Sequence, residues 1–316
     1  MSYAARKGFS IERLIVNHIN NKTGVGSKLI ECISSILNVS CRKYSAEQLY
    51  RKKADLKIIC DDNEILVSVK SYNPEADYNH VERKFVEEYR RRWGIPENVY
   101  VALKMYVGEV NRDGKPISQD EIRREAESIS IDDFINEAQQ RVEQGLLSQS
   151  EYESIHNEVK KKGITPGLLG KMRRIRFDKL RNYQDIIEWF RRMKNDIIRD
   201  VLIDNEPIKI FIVVERSVYE NLEKLCYYVA KSDKVIEVYS QGDVRITGEG
   251  NLLIGEVELQ RKGGDRWRGE KWEDVVANQL QFKIRPSKIR EIAEFVACEE
   301  LKKRDIITLN KFFKKG

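Results

Sequence analysis

Between Ala54 and Asn73 an apolar run is broken once, by the polar triplet Asp61-Asp62-Asn63, and this predicts two short strands joined by a tight turn. In the second strand a period of two sets Leu66, Ser68 and Lys70 on one face and Val67 and Val69 on the other. Upstream, residues 8 to 38 read as helices. Ser10 is the expected N-cap, Ile11, Leu14, Ile15 and Ile19 recur at helical spacing, and Leu29, Ile30, Ile33, Ile36 and Leu37 resume the stripe after Gly24-Val-Gly-Ser. Downstream the pattern predicts a basic helix from His80 to Trp93, stopped by Gly94-Ile95-Pro96, and a strand from Asn98 to Val107.

Residues 110 to 205 are densely charged and read as helical, with a break around Lys160–Gly167 and an amphipathic helix from Tyr183 to Leu202. Beyond them come an apolar strand at Pro207–Glu215, a helix over Val218 to Ala230 and a strand at Val235–Tyr239. A hairpin turn at Gly248–Asn251 then leads into a strand over Leu252–Leu259. Strand and helix patterns interleave, so the expected class is α/β (α+β), a mixed central sheet flanked by helices. The expected organisation is 1–110 as a core, 111–205 as a helical insertion, and 206–316 as a sheet extension.

Charge then narrows the partners. In 316 residues, 57 Lys and Arg against 51 Asp and Glu leave a net charge of +6, which suits a polyanion such as nucleic acid. Five cysteines, none in a CxxC pair, and three histidines argue against structural zinc. The odd count predicts free thiols in a reducing cytoplasm. The amino terminus has no apolar signal core and no run approaches a membrane span, so a cytoplasmic location is expected. No phosphate-binding loop, dinucleotide glycine fingerprint or Ser-His-Asp spacing stands out.

Two clusters carry candidate chemistry. A lysine near the end of an apolar strand, facing with a short polar residue towards an acid on the neighbouring strand, has little structural purpose. Asp55 can hold a divalent metal, while Lys70 can orient or polarise a water for attack on phosphorus, with Ser68 between them. Tyr72, Asn73, Asn79 and His80 follow directly, His80 being expected at the surface. The second cluster combines Asp243, Glu256, Glu258 and Lys262 as a rival catalytic set, with Glu256, Glu258 and Gln260 expected to share a strand face. Arg261, Lys262, Arg266, Arg268, Asn278, Gln279 and Gln281 form a toolkit for DNA: Arg and Lys pair with guanine or phosphate, Asn and Gln with adenine. The basic run Lys171–Arg176 is a further stretch suited to phosphates, its other reading being a solvated face.

The spacing Asp55, twelve residues, Ser68-Val69-Lys70 resembles the active-site hairpin of the PD-(D/E)-x-K nuclease superfamily, to which most type II restriction endonucleases belong. The expected helix–hairpin–helix–strand order resembles the superfamily core. Gln260-Arg261-Lys262-Gly263-Gly264-Asp265, with the later Leu280-Gln281-Phe282-Lys283, is similar to a block near the carboxyl end of several restriction endonucleases. This chain departs from the pattern at Ser68, where the family has a second carboxylate. The resemblance implies that another acid completes the metal site, Glu12 on the first helix being the candidate and Glu31, Glu47 and Glu64 its rivals. It further implies a restriction-endonuclease-like core with a carboxyl-terminal β-rich DNA-reading region and Mg²⁺-dependent cleavage of double-stranded DNA at a specific site. A homodimer and a cognate DNA methyltransferase as genetic partner complete the implied picture. A repair or junction-resolving nuclease and a non-catalytic DNA-binding regulator are the alternatives.

Overall fold

The computed structural model describes residues 3–50, 53–111, 115, 119–172, 175–180, 183–204, 206–219, 222–262 and 279–302. In chain order the amino-terminal elements are α1 (Tyr3–Asn20), α2 (Gly24–Leu37), β1 (Tyr44–Gln48), β2 (Leu56–Cys60), β3 (Asn63–Tyr72) and β4 (Asn79–Lys84). The helical segment follows with α3 (Val86–Trp93), α4 (Glu97–Val107), α5 (Gln119–Ser128), α6 (Ile131–Glu143), α7 (Gln149–Lys162), α8 (Pro166–Met172) and α9 (Tyr183–Ile203). The remainder comprises β5 (Ile208–Tyr219), β6 (Leu222–Lys231), α10 (Ser232–Tyr239), β7 (Arg245–Ile246), β8 (Leu252–Ile254), β9 (Val257–Lys262), β10 (Gln279–Ile284), α11 (Pro286–Ile292) and β11 (Glu294–Lys302).

The chain forms two compact units, the first from Met1–Asn79, Ile198–Gln241 and Ile284–Gly316. Its sheet has six strands in the order β1-β2-β3-β5-β6-β11, and only β3 and β5 run parallel, so it is the expected mixed sheet. Ile11, Ile15 and Ile19 of α1 and Leu29, Ile30 and Ile33 of α2 pack against Val67, Val69, Ile210, Ile212 and Val214 of the sheet. Burying such a stripe is what holds two modest helices in place. The helices approach so closely that a Cβ on Gly26 would meet the His18 carbonyl oxygen at 2.0 Å. Thr23 caps α2 by accepting from the Gly26 amide at 3.2 Å. On this unit α10 and α11 also contact β5 and β6.

The second unit takes in His80–Ile197 and Gly242–Lys283. It holds a five-stranded sheet in the order β4-β10-β9-β8-β7 and a helical core in which Phe134, Ala138, Ile155, Leu168 and Leu169 meet. Among the described residues no helix is long and apolar enough to cross a membrane.

Several elements differ from expectation. Ser10 lies inside α1 rather than capping it. The basic stretch opens as β4, and α3 begins only at Val86. The expected strand at 98–107 is α4, buried on nearly every side, where alternation carries little information. Residues 222–231 are a strand and 232–239 a helix, the reverse of the reading, because cross-strand pairing with β5 and β11 overrides local propensity. The expected strand Leu252–Leu259 is broken at Gly255, whose φ of 59° turns β8 into β9. Four cysteines are paired rather than free: Cys41 with Cys60, and Cys226 with Cys298, which stand opposite each other in the β6–β11 register; Cys32 is free.

Candidate active site

Asp55 enters the sheet immediately before β2, and its amide donates to the Val67 carbonyl at 2.9 Å, which fixes it beside β3. Glu206 holds the preceding turn with both carboxylate oxygens, accepting from the Lys53 amide at 3.0 Å and the Ala54 amide at 2.7 Å. Lys53 Nζ adds a bond to the Val201 carbonyl at 2.5 Å. Asp55 Oδ2 then accepts from Ser68 Oγ at 3.1 Å and from the Val69 amide at 2.6 Å. Lys70 Nζ donates to Ser68 Oγ at 2.7 Å and to the Val69 carbonyl at 3.2 Å, and lies 3.6 Å from Asp55 Oδ2. Ser68 is fully buried. Its hydroxyl therefore passes a hydrogen bond from the lysine ammonium to the aspartate carboxylate, the position at which the family pattern puts an acid.

The remaining acid candidates separate cleanly. Glu12 feels both Asp55 and Lys70: burial and then the Asp55 charge raise its carboxyl above the ordinary range, while a hydrogen bond from Gln48 and the Lys70 charge oppose them. Glu47 and Glu64 instead flank Lys57, at 2.7 and 3.2 Å. Glu31 is an exposed residue of α2. Gln48 Nε2 donates to Glu12 Oε2 at 2.6 Å. Among the described residues, Asp55 Oδ1 and Glu12 Oε1 carry no protein hydrogen bond. Two carboxylates that feel each other's charge, each with one oxygen anchored, have the oxygen chemistry that a hard divalent cation takes. Among the described residues no cluster of three or more His, Cys, Asp or Glu is placed to hold a metal ion, at this corner or elsewhere.

The residues after Lys70 serve the fold around this corner. The Tyr72 hydroxyl donates to Glu215 at 2.9 Å, and burial and that carboxylate push the phenol upward. Asn79 donates to the Ser71 carbonyl at 2.9 Å, and the Asn73 side chain accepts from the Glu75 amide at 3.1 Å.

The second cluster is distributed differently. Asp243 is held by a two-pronged contact with Arg191, both bonds 2.8 Å, which draws its carboxyl down to about 2. Glu258 accepts from Asn251 at 2.8 Å and shares a face of β9 with Gln260 and Lys262, while Glu256 lies in the β8–β9 turn. Arg261 points the other way, with Val257 and Leu259. It is 8% exposed and donates to the Tyr106 carbonyl (3.2 Å), the Ile175 carbonyl (2.8 Å) and Glu151. Its guanidinium is engaged by protein groups. Gln281 is also buried; its amide nitrogen meets His80 Nδ1 and its carbonyl oxygen has no partner. His80 itself is exposed, as expected.

Lys262 and Gln279 stand opposite each other at the end of the β9–β10 ladder, both partly exposed. Lys283, below them on β10, is lowered by desolvation despite Glu258 opposite. Arg266, Arg268 and Asn278 lie outside the described residues. In the basic run, Lys171 binds Glu158 at 2.5 Å and Arg176 binds Asp178 at 3.1 Å. Gln48 and Glu206 are the contributors that sequence reasoning missed.

With this geometry in hand, comparison with known proteins gives two likenesses. The family model of the R.HinP1I restriction endonuclease matches residues 167–290. That span includes β5, β6 and the β9–β10 block but stops short of the Asp55–Lys70 hairpin. Among solved structures the chain is similar to restriction endonuclease MspI, crystallised in complex with its cognate DNA, at 12% identity and a TM-score of 0.39, over 86% of this chain and 87% of that one. No curated protein matches the chain.

Proposed function

We propose that this protein is a site-specific endonuclease that hydrolyses phosphodiester bonds in double-stranded DNA in the manner of a type II restriction enzyme, with Mg²⁺ as cofactor. The observation that carries the reading is the Asp55–Ser68–Lys70 chain with Glu12 coupled to its acidic end. The family match over residues 167–290 supports the same class independently, because it rests on different residues.

In this reading Asp55 and Glu12 would hold the cation through the carboxylate oxygens that make no protein hydrogen bond. When bound, Mg²⁺ supplies Lewis-acid stabilisation of the phosphoryl oxygens and acidifies a water. Lys70 places its ammonium beside the attacked phosphate, where it orients the attacking water and offsets charge that grows in the pentavalent transition state. Ser68 keeps that ammonium in line, accepting a hydrogen bond from one of its N–H groups while donating one from its hydroxyl to Asp55. Glu206 keeps the Asp55 backbone in place. DNA reading falls to the exposed end of the β9–β10 ladder, Lys262 and Gln279, together with Arg266, Arg268 and Asn278. Two sites cut two strands, which favours a homodimer on a palindrome. A cytoplasmic location and a partner methyltransferase follow from the same reading.

Plasmid DNA incubated with the protein and Mg²⁺ tests the proposal. Discrete bands whose ends share one sequence are expected. Preference for branched substrates would reassign it to junction or repair chemistry, and retention without cleavage in any divalent metal would make it a regulator.

A further inference from the structure

The end of β1 touches both acids of the proposed metal site. The Leu49 amide donates to the Asp55 carbonyl at 2.9 Å, and the adjacent Gln48 side chain donates to Glu12 Oε2 at 2.6 Å. The helix carrying Glu12 is fastened to the same strand by a reciprocal pair, Asn20 Nδ2 to the Ala46 carbonyl at 2.9 Å and the Ala46 amide to Asn20 Oδ1 at 2.7 Å. β1 pairs with β2 in a fixed register, Gln48 opposite Leu56, so Gln48 is delivered next to Asp55 whichever rotamer Glu12 takes. Glu12 has three rotatable bonds and, among the described residues, no other side-chain anchor.

We propose that Gln48 is the positioning residue of the Glu12 carboxylate, holding Oε2 so that Oε1 is presented beside Asp55 to the divalent cation. This rests on the metal site proposed above. The residue type fits the task. A carboxylate at position 48 would repel Glu12, and an ammonium would neutralise it and compete with the metal. An amide N–H directs one oxygen while leaving both negative charges of the site for the cation. Groups that orient a ligand in this way typically alter metal affinity by about 10- to 100-fold when removed.

The test uses the full chain without DNA and Mn²⁺ as the probe, its binding followed by calorimetry and by the loss of its free-ion electron paramagnetic resonance signal. Gln48→Met keeps the shape of the side chain and removes the donor; it is expected to weaken Mn²⁺ binding about tenfold. Gln48→Asn, too short to reach Glu12, is expected to do the same, which guards against a folding defect peculiar to either variant. In cleavage, both should raise the Mg²⁺ concentration giving half-maximal rate and leave the rate at saturating Mg²⁺ within about twofold of wild type. In a Glu12→Gln background, Gln48→Met should add nothing. Two failures are distinguishable. If Glu12→Gln weakens Mn²⁺ binding and neither Gln48 variant does, Gln48 does not position Glu12 while the metal site stands. If Glu12→Gln itself leaves Mn²⁺ binding unchanged, Glu12 is no ligand, and both the metal-site reading and this inference are overturned.

Discussion

Arg261 offers the sharpest separation between reading DNA and holding the protein together, and Arg261→Met is the variant to make. Methionine preserves most of the apolar stem and removes only the guanidinium. Two backbone carbonyls, of Tyr106 and Ile175, then lose a charged donor, each such bond contributing about 1.5–3 kcal/mol. The cation lying 5.0 Å from the Tyr106 ring centroid is lost as well, for about 1 kcal/mol. Glu151 is cushioned, because Ser148 donates to it from its amide at 3.0 Å and its hydroxyl at 3.2 Å. The sum, about 4–7 kcal/mol, overlaps the cost of removing one partner from a buried ion pair, about 3–5 kcal/mol. At about 2–4 °C per kcal/mol, the melting temperature followed by circular dichroism should fall by roughly 10 °C or more. Gln279→Ala, on the exposed end of the same ladder, should melt within about 2 °C of wild type, as surface substitutions do. The reasoning is refuted if Arg261→Met melts with the wild type and instead fails to tell the cognate site from a one-base variant.

Three further outcomes are expected. Lys70→Ala should cut at least about 100-fold more slowly while gel-shift affinity for cognate DNA in Ca²⁺ is retained; wild-type cleavage here, with loss in Lys262→Ala, would move the chemistry to the second cluster. Ser68→Ala removes the hydroxyl that joins Lys70 to Asp55 and should slow cleavage about tenfold or more without lowering Mn²⁺ affinity, whereas an unchanged rate would show that Lys70 needs no such guide. Asp243→Asn should cleave within about twofold of wild type, and in an NMR titration the Asp243 carboxyl should remain charged down to about pH 2. Because that folded value lies below the ordinary 3.8, the stabilisation it gives is present above 3.8 and lost as pH falls through about 2, and Arg191→Ala should move the titration up towards the ordinary range, with the Val244 amide and Lys194 still holding it down.

The hairpin bearing Ser68 and Lys70 was legible because its signal is local: a polar triplet between two apolar runs, with a lysine on an otherwise apolar strand. Glu12 was reachable only through the resemblance, since an acid in an early helix carries no pattern of its own. Gln48 gave no signal at all; a glutamine on a short polar strand looks like surface until Glu12 is brought to it. The burial of Arg261 is legible in the strand period, since it alternates inward with Val257 and Leu259 whereas Lys262 alternates outward. The larger errors, a helix for β6 and strands for α4 and α10, arose where neighbours decide the outcome. Val235, Ile236 and Val238 favour strands in isolation, yet α10 forms where the chain leaves β6 and packs back on the sheet.

The parallel pairing of β3 with β5 carries a consequence for how the molecule is made. The hairpin bearing Ser68 and Lys70 is complete by residue 72, but the strand that flanks it begins at Ile208, and the whole second unit lies between except for Gly242–Lys283. Loop closure over that distance comes late, and contacts of such long range slow folding. A chain emerging from the ribosome therefore carries β1, β2 and β3 without the parallel neighbour of β3, and Glu206 arrives to brace Asp55 only just ahead of β5. On the function proposed above, a cutting site ordered in this sequence stays unbraced until Glu206 has been made.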